Sequence, residues 1–140
     1  MKVYDATDQI IGRISTVVAK DLLKGETVNI VNVEKAIVSG NPKFTKNQYL
    51  QRIHRGDPIH GPFFPKQPDG ILKRTIRGML PYKKPKGRLA FKKLKVWIGV
   101  PDEFKNKEMI RLKNADANKL RIKSIKLGEL SLELGGKKRW

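Results

Sequence analysis

The chain has 140 residues, enough for one ordinary domain with a hydrophobic core but hardly for two, and 39% of its residues are hydrophobic. Its formal net charge is +18, and the absence of cysteine excludes disulfides, thiolate metal sites and cysteine nucleophiles and fits a cytosolic protein. No apolar run approaches about 20 residues, so no membrane span is predicted, and the first residues lack the apolar core of a secretory signal.

The N-terminal part of the chain predicts alternating strands and helices. A short strand over residues 3–6 precedes a polar turn, and apolar residues at helical spacing then extend over residues 10–23, with Gly25 as the stop signal. The β-branched stretch 27–33 predicts a buried strand, and residues 36–38 predict a second short one. A strand, a helix and a strand in this order favour a parallel sheet with a right-handed crossover.

In the later part of the chain, helix-capping residues, glycine and proline indicate where the predicted elements begin and end. Thr45 predicts the N-cap of a helix, because a glutamine three residues later would complete a capping box. The Gly- and Pro-rich residues 56–70 predict an ordered loop, and apolar spacing predicts a helix over residues 72–80 that stops before a proline. Residues 94–100 predict the best late strand, and residues 128–134 predict a short helix.

Positive charge is concentrated in the C-terminal half, where residues 71–140 carry a net charge of +15 against +3 for residues 1–70. From Gly70 to Pro101 the chain has ten Lys or Arg residues and no Asp or Glu. Apolar positions in this window indicate that it folds, and the Lys/Pro stretch 82–87 predicts an extended segment. Nucleic acid is the first candidate partner, although composition does not choose between DNA and RNA. A membrane surface fits less well, because no long amphipathic helix with a Trp/Phe/Leu face is present.

The two histidines indicate no metal site. His54 and His60 flank Asp57, but this spacing matches none of the usual zinc patterns, and a surface loop is the simpler interpretation. Ser39 lacks the flanking pattern of a nucleophile elbow, and nothing indicates a catalytic triad.

The start of the first helix offers two further kinds of chemistry. Asp5 and Asp8 could form an acid–base pair, but beside a strand-to-helix turn they more readily accept hydrogen bonds from backbone donors. Gly12 lies where a phosphate could meet free backbone donors, which keeps a nucleotide-binding α/β enzyme open. The stretch has one glycine rather than the three of a dinucleotide fingerprint, and Arg13 could instead present its guanidinium to a backbone phosphate.

Several sequence blocks, taken in order, resemble the ribosomal protein L13 family of the large subunit. They cover roughly residues 1–100, and the most specific is Arg77-Gly78-Met79-Leu80-Pro81. The others are Val3-Tyr4-Asp5-Ala6-Thr7 with Gly12-Arg13-Ile14-Ser15, Val31-Asn32-Val33-Glu34-Lys35-Ala36 with Ser39-Gly40-Asn41, and Gly87-Arg88 with Lys93-Leu94-Lys95-Val96-Trp97-Ile98-Gly99. The missing bacterial lead-in and the residues after Pro101 resemble the archaeal or eukaryotic branch, and the shortness and lack of cysteine favour the archaeal one.

The resemblance implies a three-layer α/β/α fold around a mostly parallel four-stranded sheet, with basic loops and a C-terminal extension. It implies one domain over residues 1–140, with a family core over 1–101 and an extension over 102–140. It further implies a structural, non-enzymatic constituent of the cytoplasmic large ribosomal subunit that binds ribosomal RNA early in assembly and contacts neighbouring ribosomal proteins. No cofactor, metal, membrane or small-molecule substrate is expected.

The expected RNA-contacting surfaces are the loop over residues 56–66 and the basic segment over 73–95. Motif positions of the family supply Arg13, Arg77, Gly78, Pro81, Arg88, Lys93 and Lys95 as contact residues. The remaining candidates are Lys43, Lys46, Arg52, Arg55, His60, Lys73, Arg74, Lys83, Lys84, Lys86 and Lys92. In the same motifs Met79, Leu80, Leu94, Val96 and Ile98 are expected to pack in the core. A protein that compacts DNA or RNA outside the ribosome and a nucleotide-binding enzyme remain the alternatives.

Overall fold

The computed structural model describes all 140 residues as a mixed α/β fold. Its strands are β1 (Lys2–Asp5), β2 (Val28–Val31), β3 (Ile37–Ser39), β4 (Leu94–Val96) and β5 (Ser124–Lys126). Its α-helices are α1 (Ile11–Leu23), α2 (Pro42–His54), α3 (Pro68–Met79), α4 (Pro85–Lys92) and α5 (Leu127–Glu133). Short 3₁₀ turns occupy Val33–Lys35, Asp102–Phe104, Lys113–Ala115 and Ala117–Lys119.

The main sheet is parallel and has the strand order β1–β2–β4. Tyr4 lies opposite Ile30, which in turn lies opposite Val96, and helix α1 connects β1 to β2 as the sequence predicts. The strand predicted over residues 36–38 forms as β3 but lies in a separate sheet, and Ile110 adds only a single parallel bridge to Tyr4 on the outer edge of β1. The α/β class and the parallel arrangement are thus confirmed, but the sheet has three full strands rather than four.

The two faces of this sheet are covered differently. Side chains alternate along each strand, so Tyr4 and Ile30 face the main core, where the buried apolar residues of all five helices also pack. The opposite face carries Val3 and Val31, which pack against Phe104 in a 3₁₀ turn. One outer layer is therefore helical, and the other consists of a short turn and irregular chain.

The C-terminal residues complete the fold through a second, antiparallel pair of strands. Strand β5, which the sequence does not predict, pairs with β3, with Ile37 opposite Lys126. Helix α5 then buries Leu127 and Leu130 completely in the same core as the sheet and the other helices. Residues beyond 101 thus supply part of the main core.

Helix α2 begins earlier than predicted. The Asn41 side chain accepts a hydrogen bond from the Lys43 amide at 3.0 Å, and Pro42 occupies the first turn. Thr45 is buried within the helix. The prediction of Thr45 as the N-cap is wrong because the Asn-Pro pair just before it is the stronger start signal.

Helix α4 begins within the stretch 82–87, which the sequence predicts to be an extended Lys/Pro segment, so that prediction is wrong for residues 85–87. Pro85 occupies its first turn, where a missing amide costs no intrahelical hydrogen bond. Before it, α3 ends at Met79, which is 42% exposed, and Leu80 turns inward and is 6% exposed. The expectation that Met79 packs in the core is therefore wrong, whereas that for Leu80 is confirmed. No helix combines the length and apolarity that crossing a bilayer requires.

Candidate nucleic-acid interface

A tight turn between α3 and α4 organises the most basic part of the chain. The Arg77 guanidinium lies 5.0 Å from the centre of the Tyr82 ring. From the other side of the turn, Arg88 donates hydrogen bonds to the carbonyl oxygens of Tyr82 (3.3 Å) and Lys83 (3.4 Å). Two arginines thus hold the turn in one shape, and the lysines next to them extend from a fixed backbone.

Gly87 is the residue that lets α4 approach this turn. It is buried, and a Cβ atom at this position would lie 2.0 Å from the Pro81 carbonyl oxygen. Gly78 is different, because it is exposed and a Cβ atom there would meet nothing within 4 Å. The two motif glycines therefore have separate roles: Gly87 is required by packing, whereas Gly78 leaves an open surface.

The basic side chains around the turn have no acidic partners. Throughout the chain, Lys2 and Lys105 are the only Lys or Arg residues with a nitrogen within 4.0 Å of a carboxylate oxygen. On the turn and α4, the basic candidate residues with exposed side chains are Lys83, Lys84, Lys86, Arg88 and Lys92. Their mutual repulsion is uncompensated within the protein, so a polyanion bound here would relieve it.

A second basic site, which we call the arginine cleft, lies between α2, α3 and the loop before α3. Arg52 and Arg55 at the end of α2 and Arg74 on α3 line a cleft of about 300 Å³, together with Phe64 and neighbouring polar and proline residues. The Phe64 ring centre is 5.8 Å from the Arg52 guanidinium and 5.0 Å from that of Arg74. The cleft thus gathers three guanidinium groups, two of them stacked on one aromatic ring.

The loop over residues 56–66 is held at both ends. Asp57 and Gly61 exchange two backbone hydrogen bonds of 3.0 and 2.8 Å, and Phe64 packs edge-on against Tyr49 with ring centres 5.7 Å apart. At its end, the Lys66 carbonyl accepts a hydrogen bond of 2.6 Å from the Ser131 hydroxyl of α5. The loop is therefore ordered, as predicted, and the C-terminal helix helps to order it. It is shorter than the predicted 56–70, because α3 already begins at Pro68.

The tip of this loop is open to solvent. The His60 side chain is 82% exposed and its Nδ1 lies 3.3 Å from the Asp57 carboxylate. The Ile59 amide, and then His60, hold the pKa of that carboxyl below its ordinary value. No group of three or more His, Asp or Glu residues is placed to hold a metal ion.

Several candidate contact residues lie apart from these two sites. Arg13 donates a hydrogen bond of 2.9 Å to the Asn114 carbonyl at the start of α1, and Lys93 donates one of 3.1 Å to the Gly25 carbonyl. Lys95 is exposed between two core residues of β4, so strand alternation places it on the sheet face opposite the helices. Lys43 and Lys46 lie in the first turns of α2. Lys73 lies on α3, whereas the remaining candidates, Arg77, Gly78 and Pro81, belong to the turn described above.

A late segment of the chain packs against the residues that precede α1. The Ile10 amide donates to the Ala115 carbonyl at 2.7 Å, and the Leu112 amide donates to the Gln9 side chain at 3.2 Å. The segment around residues 112–115 is thus fixed beside the start of the helix. Asp5 accepts hydrogen bonds from the Thr7 amide and hydroxyl, as expected of a carboxylate beside a turn. Burial would raise the pKa of Asp5, but these hydrogen bonds lower it below its ordinary value.

Sequence reasoning missed the aromatic residues of both basic sites. Phe64 supports two arginines of the cleft, and Tyr82 lies under Arg77 in the turn. The available signal was the interleaving of aromatic rings with basic residues and prolines, in Gly61-Pro62-Phe63-Phe64-Pro65 and in Pro81-Tyr82-Lys83-Lys84-Pro85.

Comparison with known proteins finds one family along most of the chain. The family model described as "Ribosomal protein L13" matches residues 1–103. The "Large ribosomal subunit protein uL13" of Methanosarcina barkeri is 50% identical over 98% of this chain and 99% of its own length. The protein of the same name in Methanopyrus kandleri is 48% identical over 95% of this chain and 86% of its own length. That of Haloarcula marismortui is 43% identical over 99% of this chain and 93% of its own length.

Proposed function

This chain belongs to the ribosomal protein L13 family, and we infer from this membership that it is a structural constituent of the large ribosomal subunit, in the cytoplasm, and not an enzyme. The relatives compared above are all archaeal, in agreement with the branch that the sequence indicates. Membership in this family implies association with ribosomal RNA and with other proteins of the subunit.

We further propose that α3, the turn and α4 form the main RNA-contacting surface, together with the loop over residues 56–66. The observation that carries this proposal is that eight of the ten Lys and Arg residues between Gly70 and Pro101 lie on these elements, and none of them has a carboxylate partner within 4.0 Å. Arg77 and Arg88 fix the turn, so most of the remaining cations are presented on a rigid support. Phosphate contacts from such a surface would supply most of the affinity.

The shape of the RNA, more than its base sequence, would determine the binding site. Helical RNA has a deep and narrow major groove that side chains cannot read, so proteins recognise it largely through phosphates, 2′-hydroxyls and backbone shape. A fixed basic turn with Gly78 exposed beside it suits such recognition, because the backbone can approach the RNA closely at a residue without a side chain.

We also propose that residues 1–140 act as a single domain, with a family core over 1–101 and a C-terminal extension over 102–140. Its support is the pairing of β5 with β3 and the burial of Leu130 in the main core. The exposed basic residues near the end, Lys137, Lys138 and Arg139, would then extend the positive surface toward RNA or a neighbouring protein.

The proposed RNA binding is tested by measuring affinity for a large-subunit RNA fragment across a range of salt concentrations. If about eight phosphates are neutralised, affinity should fall by roughly 10³ to 10⁵ between 50 and 200 mM salt. Random duplex DNA of equal length is the comparison, and it should bind more weakly at every salt concentration. An affinity for RNA that does not change with salt, or equal binding of the DNA, would overturn the proposal.

Sedimentation of the native protein provides the second test. A structural constituent should travel with the large ribosomal particle and be released from it only at high salt. Free protein at physiological salt, with no fraction in the particle, would contradict the assignment.

A further inference from the structure

We propose that the arginine cleft, lined by Arg52, Arg55, Arg74 and Phe64, binds backbone phosphate of a non-helical RNA segment. This inference rests on the RNA-binding function proposed above and specifies which part of the RNA binds at this one site. The cleft is separate from the turn between α3 and α4, because none of the residues that line it belongs to that turn.

The chemistry of the cleft favours an anion with several oxygen acceptors. Each guanidinium is a planar fork of N–H donors that matches phosphate oxygens two at a time. None of the three arginines has a carboxylate within 4.0 Å, and no Asp or Glu lines the cleft. The donors are therefore not used up by an internal acidic partner, and three positive charges converge on one concave site.

The arginines are also pre-organised. The Arg52 guanidinium lies 5.1 Å from the Tyr49 ring centre and 5.8 Å from that of Phe64, and Arg74 lies 5.0 Å from Phe64. Phe64 is itself fixed by its edge-on packing against Tyr49. Side chains held in this way lose less conformational freedom on binding than free surface lysines do.

Helix stability alone does not explain the arrangement. Arg52 and Arg55 lie at the C-terminal end of α2, where positive charge stabilises the helix dipole. Arg74 comes from the middle of α3, however, and has no such role, although it stacks on the same ring as Arg52. An anionic ligand shared by the three arginines explains why two helices and a loop bring them together at Phe64.

The size of the cleft selects a non-helical segment. A volume of about 300 Å³ is at the lower end of small-ligand pockets, and it would admit a phosphate and its sugar. A continuous RNA helix is a broad convex surface and cannot insert into such a concavity. A bulge, loop or sharply turned single strand can, and proteins commonly bind RNA at such unstacked segments.

The test uses arginine-to-lysine substitutions, which keep the positive charge and remove the planar guanidinium group. In the full-length protein, R52K and R74K, singly and together, are compared with R121K, in which an exposed arginine far along the chain is changed in the same way. The probes are a single-stranded RNA oligonucleotide, an RNA duplex of the same length and the large-subunit RNA fragment. Thermal melting of each variant confirms that it is folded.

We expect the double variant to lose about tenfold in affinity for the single strand and the fragment, as removal of charge-assisted, bidentate hydrogen bonds predicts. Duplex binding and the slope of log affinity against log salt should not change, because the net charge is the same. R121K should bind all three probes like the wild type. Equal affinities of the double variant and R121K would overturn the cleft proposal and leave the general RNA-binding function intact.

Two other outcomes are distinguishable. If the wild type shows no salt-dependent preference for RNA at all, the proposed function itself fails. If inorganic phosphate, added at constant ionic strength, raises the melting temperature of the wild type but not that of R74K and displaces none of the RNA, the cleft takes free phosphate. That result would also overturn the assignment to RNA backbone.

Discussion

Replacing Gly87 with alanine should unfold the basic turn, while the same change at Gly78 should be tolerated. In the G87A variant the added methyl would lie 2.0 Å from the Pro81 carbonyl oxygen and 2.3 Å from its carbon. Ordinary contacts of a Cβ atom begin near 3.4 Å, and the obstructing atoms are backbone, which cannot rotate away. Overpacking of this kind costs about 3 kcal/mol or more.

The matched variant is G78A, in which the added methyl meets nothing within 4 Å. Alanine is favoured over glycine within a helix by up to about 1 kcal/mol, so G78A should be neutral or slightly stabilising. For a domain of this size 1 kcal/mol corresponds to roughly 3–4 °C in the melting temperature. G87A should therefore melt about 10 °C lower than the wild type, and G78A should melt at the same temperature or a few degrees higher.

The assay is thermal unfolding followed by circular dichroism, with RNA binding measured on the same samples. G87A should lose RNA affinity together with stability, because Arg88 and the lysines of the turn lose their support. G78A should lose RNA affinity without losing stability, if the RNA backbone approaches that residue closely. Equal melting temperatures for the two variants would refute the argument that Pro81 excludes a side chain at residue 87.

Two further predictions concern stability. L130A should lower the free energy of unfolding by about 2–5 kcal/mol, because Leu130 is fully buried. The control L132A changes a residue on the same helix that is 43% exposed, and it should lower the free energy of unfolding by less than about 1 kcal/mol. Urea unfolding measures both variants, and similar midpoints would contradict the packing of α5. Burial would raise the pKa of Asp21, but the hydrogen bonds from the Tyr4 hydroxyl and Lys2 outweigh it and lower that pKa. A depressed pKa stabilises the fold above the ordinary value of about 3.9 and stops doing so as the pH falls through the folded-state value. The wild type should therefore be more stable than D21N at pH 7 and lose that advantage below pH about 4. If the stability difference instead grew on acidification, the pKa of Asp21 would be raised by folding, not lowered.

Local signals account for the parts of the fold that the sequence predicts. Helix α1 has an apolar stripe and ends just before the stop signal Gly25, and β2 is a short β-branched stretch, so each can be identified from its own residues. Strand β5 has only three residues, of which Ile125 alone is buried, and so carries no detectable periodicity. Its existence depends on β3, which lies far away in the sequence.

The candidate interface, too, can be predicted from the sequence only in part. The local excess of cations can be counted from the sequence, because the window from Gly70 to Pro101 contains no acid, but that they lack acidic partners elsewhere in the chain is seen only in the structure. The arginine cleft could not be predicted, since it requires Arg52, Phe64 and Arg74 to meet through tertiary packing. The separate position of Lys95 follows from strand alternation, but only once the helices are known to lie on the other face.

The pairing of β3 with β5 also constrains how the protein is made. Ile37 cannot pair until Lys126 is synthesised 89 residues later, and at about 5–20 residues per second this takes roughly 4–18 seconds. Throughout that interval the nascent chain has an unpaired strand edge, and by its end the whole basic segment has also been synthesised. A newly made molecule therefore carries its full excess of positive charge before its second sheet can close, and the fold is complete only after the last strand has been translated.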